Sequence, residues 1–169
     1  MTHPGTGADE PDEGKPDPAL FAAARELLDH SEIANVTPVN ITASLVDEAP
    51  GGEPIGVRLT LEPSVTVGLG SMANRFQYQI DLLDEAEATV ARLDFTLQVE
   101  YEIADDYEPD QEAAEFIART TGLFGSYPYA RELAQNLTTR LQLDPLVLGL
   151  LPRGMSEPKQ VTWVRRRGA

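Results

Sequence analysis

Apolar and polar residues change period along this chain, and the changes divide it into elements. From Pro18 the residues Leu20, Phe21, Ala24, Leu27 and Leu28 recur at helical spacing, and Asp17-Pro18 supplies a capping carboxylate and a first-turn proline. A helix over 18–30 is predicted, with one face in need of cover. The period then falls to two. Val39, Ile41, Ala43 and Leu45 alternate with polar positions, and Val57, Leu59 and Leu61 resume the alternation toward Val67. Phe76, Tyr78, Ile80 and Leu82 follow, and Leu93, Phe95, Leu97, Val99, Tyr101 and Ile103 make the strongest run. Four strands are expected. Pro63 predicts a bulge or an edge strand in the second of them. The separating stretches, 49–54, 68–71 and 84–87, are short and turn-forming, which favours antiparallel pairing with one face wet and the other covered.

The helical period returns after an acidic connector, 104–111. Ala113, Phe116, Ile117 and Thr120 predict a short helix over 112–121, and Leu123-Phe124-Gly125 reads as a mobile hinge after it. A long helix is expected from Pro128 to about Leu143, with a stripe of Tyr129, Leu133, Leu137 and Leu141, stopped by Asp144-Pro145. Strands followed by helices indicate an α+β fold: a four-stranded antiparallel sheet with helices on one face, a long helix after the last strand, and an extra N-terminal helix. The apolar run 144–152 is expected to pack without forming a long helix. Val161, Trp163 and Val164 suggest an extended segment docking through Trp163. The domain reading is a disordered acidic tail over 1–16, a single domain over 17–152 and a basic tail over 153–169.

Composition narrows the function. The formal net charge is −15, from 13 basic and 28 acidic residues, which disfavours nucleic acid because phosphate binding needs clustered Lys and Arg. The charge is uneven: residues 153–169 hold five basic residues against Glu157. There is no cysteine, which excludes disulfides, thiolate catalysis and iron–sulfur clusters. The N-terminus lacks the pattern of a leader, and no apolar run approaches a membrane span, so a cytoplasmic protein without membrane insertion is expected. His3 and His30 are the only histidines. No metal site, cofactor or catalytic constellation is expected, and the chain does not read as an enzyme. The acidic string 105–112 departs from a calcium loop, with Gln111 and Ile117 where Gly and Glu would be required. Glu100 and Glu102 share a sheet face and read as a solvated or docking surface. The aromatic residues around the hinge, Phe116, Phe124, Tyr127 and Tyr129, stand out as an adaptable contact surface.

One string is motif-grade. Tyr127-Pro128-Tyr129-Ala130-Arg131-Glu132 resembles the (F/Y)-P-Y-A-R-E string of the SecB family of protein-export chaperones, and strands, acidic connector, short helix, hinge and long helix follow in family order over 39–152. Ala118-Arg119-Thr120-Thr121-Gly122 and the basic tail are more similar to the actinobacterial SecB-like branch, some members of which accompany toxin–antitoxin pairs. The resemblance implies a homotetramer, a dimer of dimers, that holds unfolded or precursor polypeptides in apolar grooves without ATP. By position it makes Phe116, Leu123, Phe124 and Tyr127 candidate client contacts, and places Leu133, Leu137 and Leu141 in the core or a subunit interface. SecA or an antitoxin becomes a further partner. The sequence departs from the family in its helix over 18–30 and in its C-terminal tail.

The leading function is therefore an ATP-independent holdase, serving protein export or protecting a partner such as an antitoxin. The alternative is an oligomeric scaffold or adaptor that binds a folded partner through its acidic sheet face.

Overall fold

A computed structural model describes residues 17–46, 54–149 and 161–164 of the chain. The expected acidic tail, the turn over 49–53, and the C-terminal stretch from 150 apart from 161–164 lie outside the described residues.

The elements begin with helix α1, Pro18–Asp29. Asp17 caps it, its carboxylate accepting from the Ala19 N–H at 2.9 Å. Strands β1 (Ser31–Leu45), β2 (Gly56–Gly68), β3 (Ser71–Leu83) and β4 (Thr89–Ile103) follow. A two-residue turn, Leu69-Gly70, joins β2 to β3 with Gly70 at φ 68°, which a glycine adopts without strain. Between β3 and β4 the Asp84 carboxylate accepts from the N–H groups of Ala86 and Ala88, both at 2.9 Å, closing the turn. The helical layer consists of α2 (Gln111–Ile117), a π-helical turn (Ala118–Gly122) and α3 (Leu123–Arg140). Asp110 caps α2 by accepting from the Ala113 N–H.

The sheet order is β1-β4-β3-β2-β5, antiparallel throughout. The fifth strand, β5 (Val161–Val164), joins the four expected ones on the free side of β2. β2 runs through Pro63 without a register shift against β3, so no bulge forms there; the proline is accommodated as edge strands accommodate it. Along the centre the alternation is obeyed. Met72, Phe76, Tyr78, Ile80 and Leu82 of β3, and Leu93, Phe95, Leu97, Val99, Tyr101 and Ile103 of β4, are buried on the face that the helices cover. Tyr78 and Phe95 stack with ring centroids 5.2 Å apart.

β1 departs from expectation. It starts eight residues earlier than Val39, directly after α1, and its register against β4 shifts between Ile33 and Asn35 and again between Val39 and Thr42. Asn40 takes φ 52° at the second shift. A bulge moves later residues to the opposite face. Val39 therefore stands opposite Thr96 on the polar side, whereas Ala43 stands opposite the buried Leu93.

The lead-in to the long helix is also different from the hinge expected. Ala118–Gly122 form a π turn, Gly122 is helical at φ −63° and ψ −40°, and α3 already begins at Leu123. Pro128 lies inside α3 rather than at its start. Its missing N–H leaves one carbonyl of the preceding turn without an intrahelical donor. The buried stripe of α3 is Leu123, Ser126, Tyr127, Ala130, Ala134, Leu137 and Thr138, while Tyr129 is 50% exposed. A spacing of four drifts by about 40° per step on a helix of 3.6 residues per turn, so Tyr129 and Leu141 cannot both face the sheet.

Candidate functional site

The helical layer leaves aromatic side chains at its surface. Phe116 of α2 is half-buried and meets Phe21 of α1 edge to face, ring centroids 6.4 Å apart at 78°. Phe21 is 57% exposed and Phe124, in the first turn of α3, 50% exposed. Three aromatic residues on α1, α2 and α3 thus keep apolar area in contact with solvent. Because roughly half or more of each ring is already covered, each can contribute at most about half of the ~1.5–3 kcal/mol of full burial when a ligand covers the rest. Phe21 belonged to the expected buried stripe of α1. It lies about 120° around the helix from Leu27 at 100° per residue, at the margin of the stripe rather than its centre, and that angle was readable from the sequence.

Leu123 and Tyr127, the other two candidate contacts, point the opposite way. Leu123 is 2% and Tyr127 6% exposed. The Tyr127 hydroxyl donates to the Gly149 carbonyl at 2.7 Å and so holds the exit segment against the domain. Burial pushes this hydroxyl up to about 12, with the Arg131 charge opposing the shift. Deeper in, the Tyr78 hydroxyl lies 3.2 Å from the Ser126 hydroxyl, which itself donates to the Leu123 carbonyl at 3.0 Å. The Tyr78 hydroxyl is also raised, chiefly by burial. These contacts tie the sheet to the first turn of α3.

The six-residue string divides by face. Tyr127 and Ala130 are buried, Arg131 is half-buried, and Pro128, Tyr129 and Glu132 are exposed. Ala130 lets α3 lie close to the sheet. The π turn comes closer still: a Cβ on Gly122 would stand 2.8 Å from the Asn74 amide nitrogen and 3.2 Å from the Phe76 ring. The Asn74 amide is buried without a hydrogen-bond partner, and the Tyr101 hydroxyl faces it without reaching bonding geometry.

The opposite sheet face is polar. Glu32 stands directly opposite Glu102, a like-charge pair that costs stability, and Gln98 donates to Glu100. Arg92 donates to Asp81 at 2.7 Å. A cleft of about 440 Å³ lies between the start of β1 and the end of β4, lined by Asp29, His30, Ser31, Glu32, Glu102 and Asp105 among others. His30 is engaged there: its ring stacks on Tyr107 at 4.5 Å and its Nδ1 lies 2.9 Å from the Glu26 carbonyl. Among the described residues no group of three or more His, Cys, Asp or Glu side chains is placed to hold a metal ion. No helix among them is long and apolar enough to cross a membrane.

The helical layer thus presents exposed aromatic rings beside the antiparallel sheet. Over 90 residues the chain is 36% identical to the SecB-like chaperone Rv1957 of Mycobacterium tuberculosis H37Rv, and equally to the SecB-like chaperone MT2006 of strain CDC 1551. The solved structure of Rv1957 in complex with a ChAD peptide from the Rv1956 HigA1 antitoxin superimposes with a TM-score of 0.68 at 27% identity, covering 79% of this chain and 99% of that one. The chain is similar to SecB-like chaperones over the residues matched. Its sheet, long helix after the last expected strand and N-terminal helix match the SecB-like architecture. By sequence the chain spans about half the length of the curated relatives it matches. No family model matches the sequence.

Proposed function

We propose that this SecB-like chain is an ATP-independent holdase for non-native polypeptide segments, and that one of its clients is an antitoxin. The observation that carries the reading is the shared fold of a solved relative that holds an antitoxin peptide. The surface of Phe21, Phe116 and Phe124 supports it, because aromatic rings on separate helices can meet extended segments of varied sequence. Phe124 and Phe116 are the first contacts; Leu123 and Tyr127 join only if a client lifts the first turn of α3 from the sheet. The acidic body keeps a protein with exposed apolar area dispersed. At stoichiometric amounts and without nucleotide, the protein is expected to suppress light scattering by a chemically denatured client and by its cognate antitoxin. Unchanged aggregation of both would overturn the reading.

Assembly belongs to the same proposal. The outer edge of β1 is unpaired among the described residues and exposes Ile33, Ile41 and Leu45, which suits a second copy on the way to a tetramer. Delivery to export is its finer form, with SecA meeting the acidic face. The scaffold reading has one observation in its favour, the Glu32–Glu102 pair, since a strained acidic face is relieved by a basic partner. Salt-sensitive binding to a native protein, without affinity for unfolded chains, would favour that reading instead.

A further inference from the structure

The last strand of the sheet comes from far along the chain. β5 lies antiparallel on the outer edge of β2, with Val161 opposite Leu59, Thr162 opposite Arg58, Trp163 opposite Val57 and Val164 opposite Gly56. On its other side β2 pairs with β3 from Gly56 to Gly68. The part of β2 from Thr60 to Gly68 has no outer strand among the described residues. The sheet therefore ends in an edge that accepts an extended segment and is only partly filled.

The resident segment states what this edge takes. Val-Thr-Trp-Val is built wholly of strong strand formers, with Lys159 before it and Arg165, Arg166 and Arg167 after it, on a chain of net charge −15. Beside the ladder at its Gly56 end lies a cleft of about 260 Å³, whose apolar lining includes Ile55, Val57, Leu82, Leu146 and Val147. Val147 is 70% exposed there. In strand addition, main-chain pairing provides affinity for any extended chain, and adjacent pockets select among side chains.

We infer that the outer edge of β2 is a strand-acceptor site for extended client segments rich in β-branched and aromatic residues with basic flanks, and that β5 occupies it in cis until a client displaces it. The inference rests on the holding activity proposed above and gives that activity a second surface, separate from the helical aromatics. Four residues paired along one side make a weak strand. Tethered to its site, such a segment competes at an effective concentration on the order of mM. Client affinity is then reduced by the fraction of time the edge is open, about tenfold when it is open roughly a tenth of the time. Without a client, β5 covers the Gly56–Leu59 part of this edge, and a client better suited to the ladder displaces it.

Trp163 is the only tryptophan of the chain and reports on β5 directly. Titration of the full chain with a permanently unfolded, carboxymethylated protein is expected to shift Trp163 emission with the same midpoint as client binding. The double variant Val161→Pro, Thr162→Pro removes the N–H of two consecutive residues and so reaches both alternations of the ladder. It is expected to bind the unfolded protein about tenfold more tightly. It should also bind, in trans, a labelled peptide spanning residues 159–167 that the unaltered chain binds at least tenfold more weakly. A truncation ending at residue 160 should behave as the double variant does. Equal affinities in the unaltered chain, the double variant and the truncation would overturn the inference while leaving the holding activity in place. Peptide binding that distinguishes the proteins, with no binding of the unfolded client by any of them, would instead overturn the holding activity and the role of clients in displacing β5.

Discussion

Two glycines three residues apart have opposite tasks. Gly122 is helical, and its lack of a side chain is what allows the π turn to rest on Asn74 and Phe76. Gly122→Ala places a Cβ 2.8 Å from the Asn74 amide nitrogen, so the variant is expected to lose ~1–3 kcal/mol in urea unfolding. Gly125 has nothing within 4 Å of its Cβ position, and Gly125→Ala is expected to gain about 0.5–1 kcal/mol by raising helix propensity and narrowing the unfolded ensemble. Tyr127 adds a pH dependence. Its hydroxyl ionises near 10 when unfolded and is held up to about 12 when folded. The unfolded chain therefore releases its proton first, and the contribution of this residue is complete below pH 10 and lost as pH rises toward 12. Tyr78 and Tyr101 shift in the same direction, chiefly through burial. The urea midpoint should fall above pH 10, and less steeply in Tyr127→Phe, which at neutral pH should cost about 1 kcal/mol for the lost bond to Gly149.

Among elements, the first turn of α3 separates surface from support. Phe124→Ser is expected to weaken client binding severalfold with a melting temperature within about 2 °C of the parent, because the ring is half exposed. Tyr127→Ser is expected to lower stability by ~3–5 kcal/mol, measured by urea unfolding, because it empties a buried site. A reversed pattern in binding and melting measurements would assign the two roles the other way. The central strands were legible in the sequence because their alternation follows burial nearly position by position, from Met72 to Leu82 and from Leu93 to Ile103. The edge strand β1 was legible only from Val39 to Leu45; its two register shifts exchange faces, so one alternation does not run back to Ser31. The joint between α2 and α3 differs from the expected hinge for a related reason. Leu123-Phe124-Gly125 looked like a break because glycine is poor in helices, but Gly122 answers to a neighbour across the layer that no local pattern records. The candidate surface was half legible: Phe116 and Phe124 stood near the glycines, whereas Phe21 was assigned to a stripe it only borders.

The molecule as a whole is governed by its two sheet edges and one continuous rod. The β1 edge exposes Ile33 and Leu45, and introducing lysine at both positions is expected to dissociate the oligomer proposed above in sedimentation with little loss of melting temperature. A parent protein already monomeric at tens of micromolar would remove the role assigned to that edge. The rod is formed by α2, the π turn and α3, which follow one another without a break from Gln111 to Arg140. A π turn holds about one residue more than an α turn. Its consequence is one of phase: the wider turn absorbs one residue, so α3 keeps the rotation that an uninterrupted α-helix would give it. Deleting Thr121, whose side chain is exposed, would return the turn to α geometry and leave Ala130, Ala134 and Leu137 on the sheet. Deleting the equally exposed Glu132, in the α-helical part, would instead turn Ala134 and Leu137 by about 100° and off the sheet. Along this rod the place of a deletion matters more than the identity of the residue removed.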